Sequence, residues 1–211
     1  MTGVRRLLAP AREALLLEVA LYRSLARWLA RRPDVPAGAT PVGYGQLAAP
    51  MMWLWIFGSA TEVIVVEVLM RHWDNPVTSA LRTPLLVLGV WGVLWMLGML
   101  ASYRVRPHLL LDDRLIARSG ARTRVVVPLG AVESTRTVEH ELPGVIRSLH
   151  VEEGLVLVGV SSQTNLELVL SGPTVLETSG GAVTATRVAV WVDDPRGVAA
   201  TLRLRRSAPS R

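Results

Sequence analysis

The chain has 211 residues, half of them hydrophobic, a mean hydropathy of +0.36 and a formal net charge of +6. It has no cysteine, and all 23 of its basic residues are arginine. That excludes disulfides, thiolate metal sites, a cysteine nucleophile, P-loop lysine chemistry and Schiff-base chemistry. The basic surplus suits an anionic membrane surface as readily as nucleic acid. The arms lack the aromatic-lined strand motifs of an RNA binder, so no nucleic-acid partner is expected.

Residues 1–33 form the first unit, with an amphipathic helix over residues 8–32. Leu8, Leu15, Tyr22 and Leu29 recur every seven residues, with Ala11, Ala14 and Leu25 on the same side. Arg12, Arg23, Arg27 and Arg31 cover the opposite side. Pro10 suits a first turn and Pro33 ends the helix. An arginine-faced helix ahead of a span can lie in the headgroup layer; the same spacing also serves a short coiled coil. Glu18 falls on the apolar side and disturbs it. Residues 34–49, rich in Pro, Gly and Ala, read as a linker. No cleavable signal is expected, because Arg12, Glu13 and Glu18 break any apolar run.

Residues 50–103 read as a two-span membrane hairpin. The first apolar stretch runs from Met51 to Met70, interrupted by Glu62 and Glu67, and the second from Pro84 to Ser102 without a charge. A helix needs about 20 mostly apolar residues to cross the hydrocarbon core. Arg71 to Thr83 then form the connecting loop. Trp53, Trp55 and Trp73 sit where interfacial anchors sit, while Trp91 and Trp95 lie deeper. Gly89, Gly92, Gly98 and Ser102 offer small surfaces for close helix packing. Seven arginines precede the first span, two lie in the loop, and Arg104, Arg106, Arg114 and Arg118 follow the second. The positive-inside rule then places both termini in the cytoplasm and the chain in the cell membrane.

Glu62 lies near the middle of its span, where a carboxylate costs roughly 2.5–3.5 kcal/mol. Counting back from the loop places it near Gly92, within reach of the Trp91 or Trp95 indole. One reading is a protonated, structurally satisfied side chain. The other is a proton or ion site. Glu67 precedes Arg71 by one turn, in the favourable order for an ion pair.

After Arg106 the pattern changes to short β-runs with turn signals: His108–Leu111, Leu115–Ala117, Arg124–Val127, Val132–Val138, Ser148–Val151, Leu155–Val160, Leu166–Leu170, Thr174–Glu177 and Val183–Val192. This rhythm predicts an antiparallel sandwich or barrel. Asp193-Asp194-Pro195 then starts a closing helix, with Val198, Thr201, Leu202 and Arg205 at helical spacing. The domain spans residues 105–206, and residues 207–211 read as a disordered tail.

Four phrases carry a resemblance: Leu-Asp-Asp-Arg-Leu-Ile-Ala-Arg-Ser-Gly at 111–120, Val-Pro-Leu-Gly-Ala-Val-Glu-Ser at 127–134, Asn-Leu-Glu-Leu-Val-Leu at 165–170 and Val-Asp-Asp-Pro-Arg-Gly-Val-Ala-Ala-Thr-Leu at 192–202. Their order and spacing resemble the pleckstrin-homology-like domains of bacterial, actinobacterial-type membrane proteins. The resemblance implies opening hairpins, a helix plugging one end of a barrel, and a membrane-tethered binding or scaffold domain. It supplies no catalytic residues. In lipid-binding members of the wider superfamily, basic residues of an opening hairpin grip headgroups, and Arg118, Arg122 and Arg124 resemble that pattern. The plainer reading of these three is a solvated hairpin rim.

His140-Glu141 begins like a zinc-protease motif but fails it, since position 144 is Gly and Pro143 breaks the helix. A weak metal site with His150, Glu152 and Glu153 is set aside, and no cofactor is expected. There is no Gly-x-Ser-x-Gly elbow and no catalytic constellation, so the chain does not read as an enzyme. Two function classes remain. One is a membrane-anchored interaction module whose cytoplasmic domain binds a protein, a peptide or an anionic lipid headgroup. The other is a subunit of an oligomeric complex moving protons or ions through Glu62. The partners expected are the bilayer itself and a protein partner or a second copy.

Overall fold

The computed structural model describes residues 2–73, 75–144 and 148–207. Helix α1 (Thr2–Leu29) is followed by a three-residue strand β1 (Thr40–Val42), then by the two apolar helices α2 (Ala49–His72) and α3 (Pro76–Val105). Helix α1 starts earlier than expected, so Pro10 stands inside it rather than in its first turn.

Both apolar helices are long and apolar enough to cross a membrane. Only 6% of the most apolar window of α2 and 22% of that of α3 is buried within the chain. A core helix of a soluble domain would bury most of its apolar surface. The connection between them is much tighter than the thirteen-residue loop expected. Asn75 accepts the Val77 and Thr78 backbone N–H groups, each at 3.0 Å, and Thr78 Oγ1 accepts the Asn75 N–H at 3.2 Å. This capping box, with Pro76 in the first turn, starts α3 directly after the bend and leaves Pro84 inside the helix.

The small residues divide between two interfaces. A methyl group placed on Gly89 would meet Val63 of α2 at 2.5 Å. One placed on Gly98 would fall 3.0–3.2 Å from the Cβ, carbonyl oxygen and carbonyl carbon of Leu21. Helix α1 therefore crosses α3 backbone to backbone at Gly98. Farther along, Trp28 shares a surface recess with Arg104 and Val105, so the contacts advance along both chains together and the two helices run in the same direction. The residues of α1 that pack are Leu17, Leu21, Ser24 and Trp28, whereas Leu15 and Leu29 are exposed. The packed seam is thus displaced from the expected stripe at Leu15 and Leu29, while the side chain of Leu8 lies outside the described residues. It follows the small residues of α3.

The β-domain contains β2 (His108–Leu110), β3 (Arg114–Ser119), β4 (Thr123–Pro128), a 3-10 turn (Leu129–Ala131), β5 (Val132–Arg136), β6 (His140–Glu141), β7 (Leu149–Glu152), β8 (Leu155–Val158), β9 (Gln163–Thr164), β10 (Leu166–Thr178) and β11 (Gly181–Val190). The main sheet runs β1-β2-β3-β4-β10-β11-β8-β7, with β5 added beside β10 and a separate β6-β9 pair. Two expectations are corrected here. The sheet is mixed, because β8 pairs parallel to β11 from Leu155 opposite Arg187 to Val158 opposite Val190. It does not close into a barrel, since β1 and β7 end the order on opposite sides. The runs at 166–170 and 174–177 are one strand that changes partner. Its first half pairs with β5 and its end with β4, and the ladder with β11 is interrupted between Val169 and Thr174, where Ser171-Gly172-Pro173 lies.

The closing helix α4 (Pro195–Ser207) forms as expected. Asp194 Oδ1 accepts the Gly197 N–H at 2.9 Å, and Val198 and Leu202 enter the core beside Leu110, Val127 and Val190. The helix runs through Ser207; the rest of the segment expected to be a disordered tail lies outside the described residues. Residues 34–49 are more than a linker. They supply edge strand β1, which pairs with β2 from Thr40 opposite Leu110 to Val42 opposite His108. The pair of long apolar helices is therefore inserted between the first and second strands of the β-domain.

Candidate functional site

The junction between helices and β-domain is built around two groups. Asp34, just after α1, donates its N–H to the Val105 carbonyl at 2.7 Å, tying the end of α1 to the end of α3. Its carboxylate pairs with Arg27 of α1, Arg118 of β3 at 3.5 Å and Arg106 at 3.8 Å. Arg118 also donates to the Asp34 carbonyl at 3.0 Å. Burial pushes the Asp34 carboxyl upward, but the three guanidinium groups outweigh it and hold it below its usual range. Burial, together with Arg106, makes Arg118 easier to deprotonate, and Asp34 opposes this.

The second group is apolar and aromatic. Tyr44 is fully buried, stacked on the His108 ring at 4.5 Å and edge-on to Tyr103 at 5.8 Å. His108 Nε2 donates to the Trp191 carbonyl at 2.8 Å, while Nδ1 accepts the Arg118 N–H at 2.8 Å. The bond to Nδ1 selects the neutral Nε2–H tautomer. Burial depresses the His108 pKa to about 4; the Trp191 carbonyl partly opposes this and Arg118 adds to it. The Asp193 carboxylate accepts the Gln46 N–H at 2.9 Å, and the Asp193 N–H bonds to the Gly43 carbonyl at 2.9 Å. The β-domain is thus fastened to the foot of the helices.

Above this junction lies a cavity of 780 Å³, within the range of roughly 300–1,000 Å³ common to small-molecule sites. Its upper walls are apolar: Leu17 and Leu21 of α1, Met51, Met52 and Trp55 of α2, and Trp95, Met96 and Met99 of α3. Four of the six methionines in the chain line it, giving walls that re-pack around irregular apolar shapes. The floor is polar. It is made by the β3–β4 turn from Ser119 to Thr123 and the turn between β8 and β9, with Ser148 between them. Ser119 Oγ donates to the Gly159 carbonyl at 2.7 Å, and the Thr123 and Ser148 hydroxyls are bonded at 2.6 Å, which joins the two turns.

The β8–β9 turn holds an oddity. Ser161 and Ser162 both take left-handed backbone, with φ of 50° and 61°. A two-residue turn of this kind favours Asn-Gly, and a side chain there costs on the order of 1 kcal/mol. Local turn chemistry has been set aside at two residues that line the cavity.

The expected site residues separate. Arg118 is absorbed by Asp34. Arg122 lines the cavity as the one charged residue among the described residues that do so, and pairs with the carboxylate and carbonyl of Glu13 in α1. Arg124 is exposed and sits opposite Arg118 in the β3–β4 ladder, with no side-chain partner among the described residues. The three do not form one headgroup grip. Trp91 does not satisfy Glu62 either: its indole Nε1 donates to Glu18 Oε1 at 2.8 Å. Glu18, disturbing in the sequence, is the polar contact that fastens α1 to α3. Trp95 lines the cavity instead. Glu62 lies along a separate groove of 280 Å³ between α2 and α3, with Gly89 and Gly92. At the loop end of that groove Glu67 pairs with Arg71 at 2.8 Å, as its spacing implies, and also with Arg82 at 2.6 Å. His140 is bonded to buried Glu167 at 2.8 Å, while His150 faces Glu152 at 3.5 Å. No group of three metal-ligating side chains occurs among the described residues.

Asp34, Tyr44 and the two serines were not singled out from sequence. One readable signal was the pair Ser161-Ser162 between two β-runs, at a position where a turn demands special backbone. Comparison with protein-family models, with curated proteins and with solved structures returns no match.

Proposed function

We propose that this chain is a membrane-anchored binding module whose β-domain lies at the cytoplasmic face and whose binding site is the cavity where that domain meets the helices. The observation that carries this reading is the cavity's two-sided lining. Methionine and tryptophan from two membrane-length helices form one half, and serine, threonine and Arg122 from two β-turns form the other. Such a site takes a molecule that is apolar at one end and polar at the other. The β-domain serves as its floor, held in place by the Asp34 pairs and the Tyr44–His108 stack. The pleckstrin-homology-like resemblance agrees with a tethered binding domain, although the mixed, open sheet departs from that family's barrel.

The absence of native cysteine makes the anchoring directly testable. A single cysteine at Thr78, in the turn between the spans, is expected to react with an impermeant maleimide added to intact cells. One at Thr184, in the β-domain, is expected to react only after the membrane is opened. The protein is expected to stay with the membrane through alkaline carbonate washing. Release by carbonate, or labelling of Thr184→Cys from outside, would overturn the reading.

A further inference from the structure

We infer that the chain assembles side by side with further copies of itself in the membrane, Glu62 of each copy pairing with Arg12 of the next. The inference rests on the anchoring of α2 and α3 in the bilayer and is independent of what the cavity binds. The heights of the two residues follow from the glycine contacts. Gly98 of α3 meets Leu21 of α1, and Gly89 of α3 meets Val63 of α2. Helices α1 and α3 run in the same direction, so nine residues before that first contact both chains stand at one height, at Arg12 on α1 and Gly89 on α3. Glu62 adjoins Val63, so Arg12 and Glu62 share one depth. Nine residues are also two and a half helical turns. Gly89 and Gly98 therefore point to opposite sides of α3, and at this height α1 and α2 flank it on opposite sides. Arg12 likewise points opposite to Leu21, away from α3 and out of the bundle. Within one copy, α3 stands between the two charges.

Both residues are exposed, and neither has a partner among the described residues. Unpaired charge facing hydrocarbon is costly, and intramembrane charges pair with one another. Copies inserted under the same arginine bias share one orientation, so residues of equal depth meet when copies pack side by side. The other described arginines of these helices do not compete. Arg27, Arg71 and Arg82 are paired within the chain, and Arg23 and Arg104 stand roughly three turns or more nearer the β-domain. The surfaces beside the two charges also fit. Leu16 and Val19, one and two turns on from Arg12, are 40% and 48% exposed. Gly58, one turn from Glu62, has nothing within 4 Å of where a Cβ would sit, which leaves room for the arginine stem. Such a contact joins two different faces, so it is heterologous and repeats around a ring.

The test uses two differently tagged full chains expressed in one membrane, with no native cysteine to interfere. One carries Leu16→Cys and the other Gly58→Cys, so Arg12 and Glu62 are both retained. Oxidation is expected to give a disulfide between the two tags, while neither chain expressed alone forms one. Arg12→Glu in the first chain, or Glu62→Arg in the second, is expected to lower the yield about tenfold, the scale of one charge-assisted pair. The two reversals together, one in each chain, are expected to restore it. Glu62→Gln, which keeps the shape and adds no charge, is expected to lower the yield as well. It carries the test if the reversals fail to insert. No disulfide between the tags, or a yield indifferent to Glu62→Gln, would overturn the proposal. A disulfide formed by Leu16→Cys or Gly58→Cys alone would show a face meeting itself and would overturn it too. The anchoring fails separately, through chains of wild-type charge that carbonate washing releases from the membrane.

Discussion

At the scale of single residues, two glycines on one helix separate a packing role from a permissive one. Gly98 has the backbone of Leu21 within 3.0–3.2 Å of where a Cβ would sit, and backbone cannot move aside. Gly92 has nothing within 4 Å. Gly98→Ala is therefore expected to destabilise the folded protein by about 1–3 kcal/mol through overpacking. Gly92→Ala is expected to be neutral or slightly stabilising, because alanine is the better helix former. Thermal unfolding of both variants in the same detergent checks this; equal melting temperatures would contradict the α1–α3 crossing. His108 gives a second expectation. Its folded pKa, about 4, lies below the unfolded value of 6.5, so the unfolded chain binds the proton more readily. The histidine thus costs nothing above pH 6.5. As pH falls from there toward 4 the protein loses stability, by on the order of 3 kcal/mol in all. His108→Gln is expected to flatten that slope in chemical denaturation while lowering stability throughout. The Asp34 pairs act in a different window, since a depressed carboxyl loses its contribution only as pH falls below the ordinary carboxylate range.

At the scale of elements, legibility followed the length of the signal. The long apolar runs announced α2 and α3, and Asp194-Pro195 announced α4. The bend at Asn75-Pro76-Val77-Thr78 was readable as a cap and proline signal, yet the charged residues around it suggested a longer loop. Parallel pairing of β8 with β11 was not readable, because alternation sets which face a side chain takes and is silent on strand direction. Strand β1 was hidden by its brevity and by Pro41, which is tolerated there because the strand is an edge. Its discovery changes what a stable fragment must contain. Residues 105–211 alone lack β1 and Tyr44, so the outer edge of β2 loses its hydrogen-bonding partner and the His108 ring loses its cover. Joining residues 33–48 to that fragment through a flexible linker is expected to raise its melting temperature by several degrees, on the scale of 1 kcal/mol or more for a domain of this size. No increase would show that β1 adds nothing to the domain.

At the scale of the whole molecule, the candidate site belongs to no single segment. Its walls come from α1, α2 and α3, and its floor from turns far along the chain. That is why sequence reading grouped Arg122 with Arg118 and Arg124, whose partners differ in the fold, and why it set Trp91 or Trp95 beside Glu62, whereas Trp91 bonds Glu18 and Trp95 lines the cavity. Contacts between distant segments decide both, and spacing along the chain carries no record of them. The proposed site requires the cavity to straddle the membrane face, with its walls in hydrocarbon and its floor outside. The most direct measurement is nitroxide accessibility in bilayers, with labels at Met99→Cys and Ser161→Cys in separate samples. Collision with oxygen is expected to dominate at position 99, and collision with a water-soluble nickel complex at position 161. Water-soluble collisions dominating at both positions would place the helices outside the membrane and contradict the account.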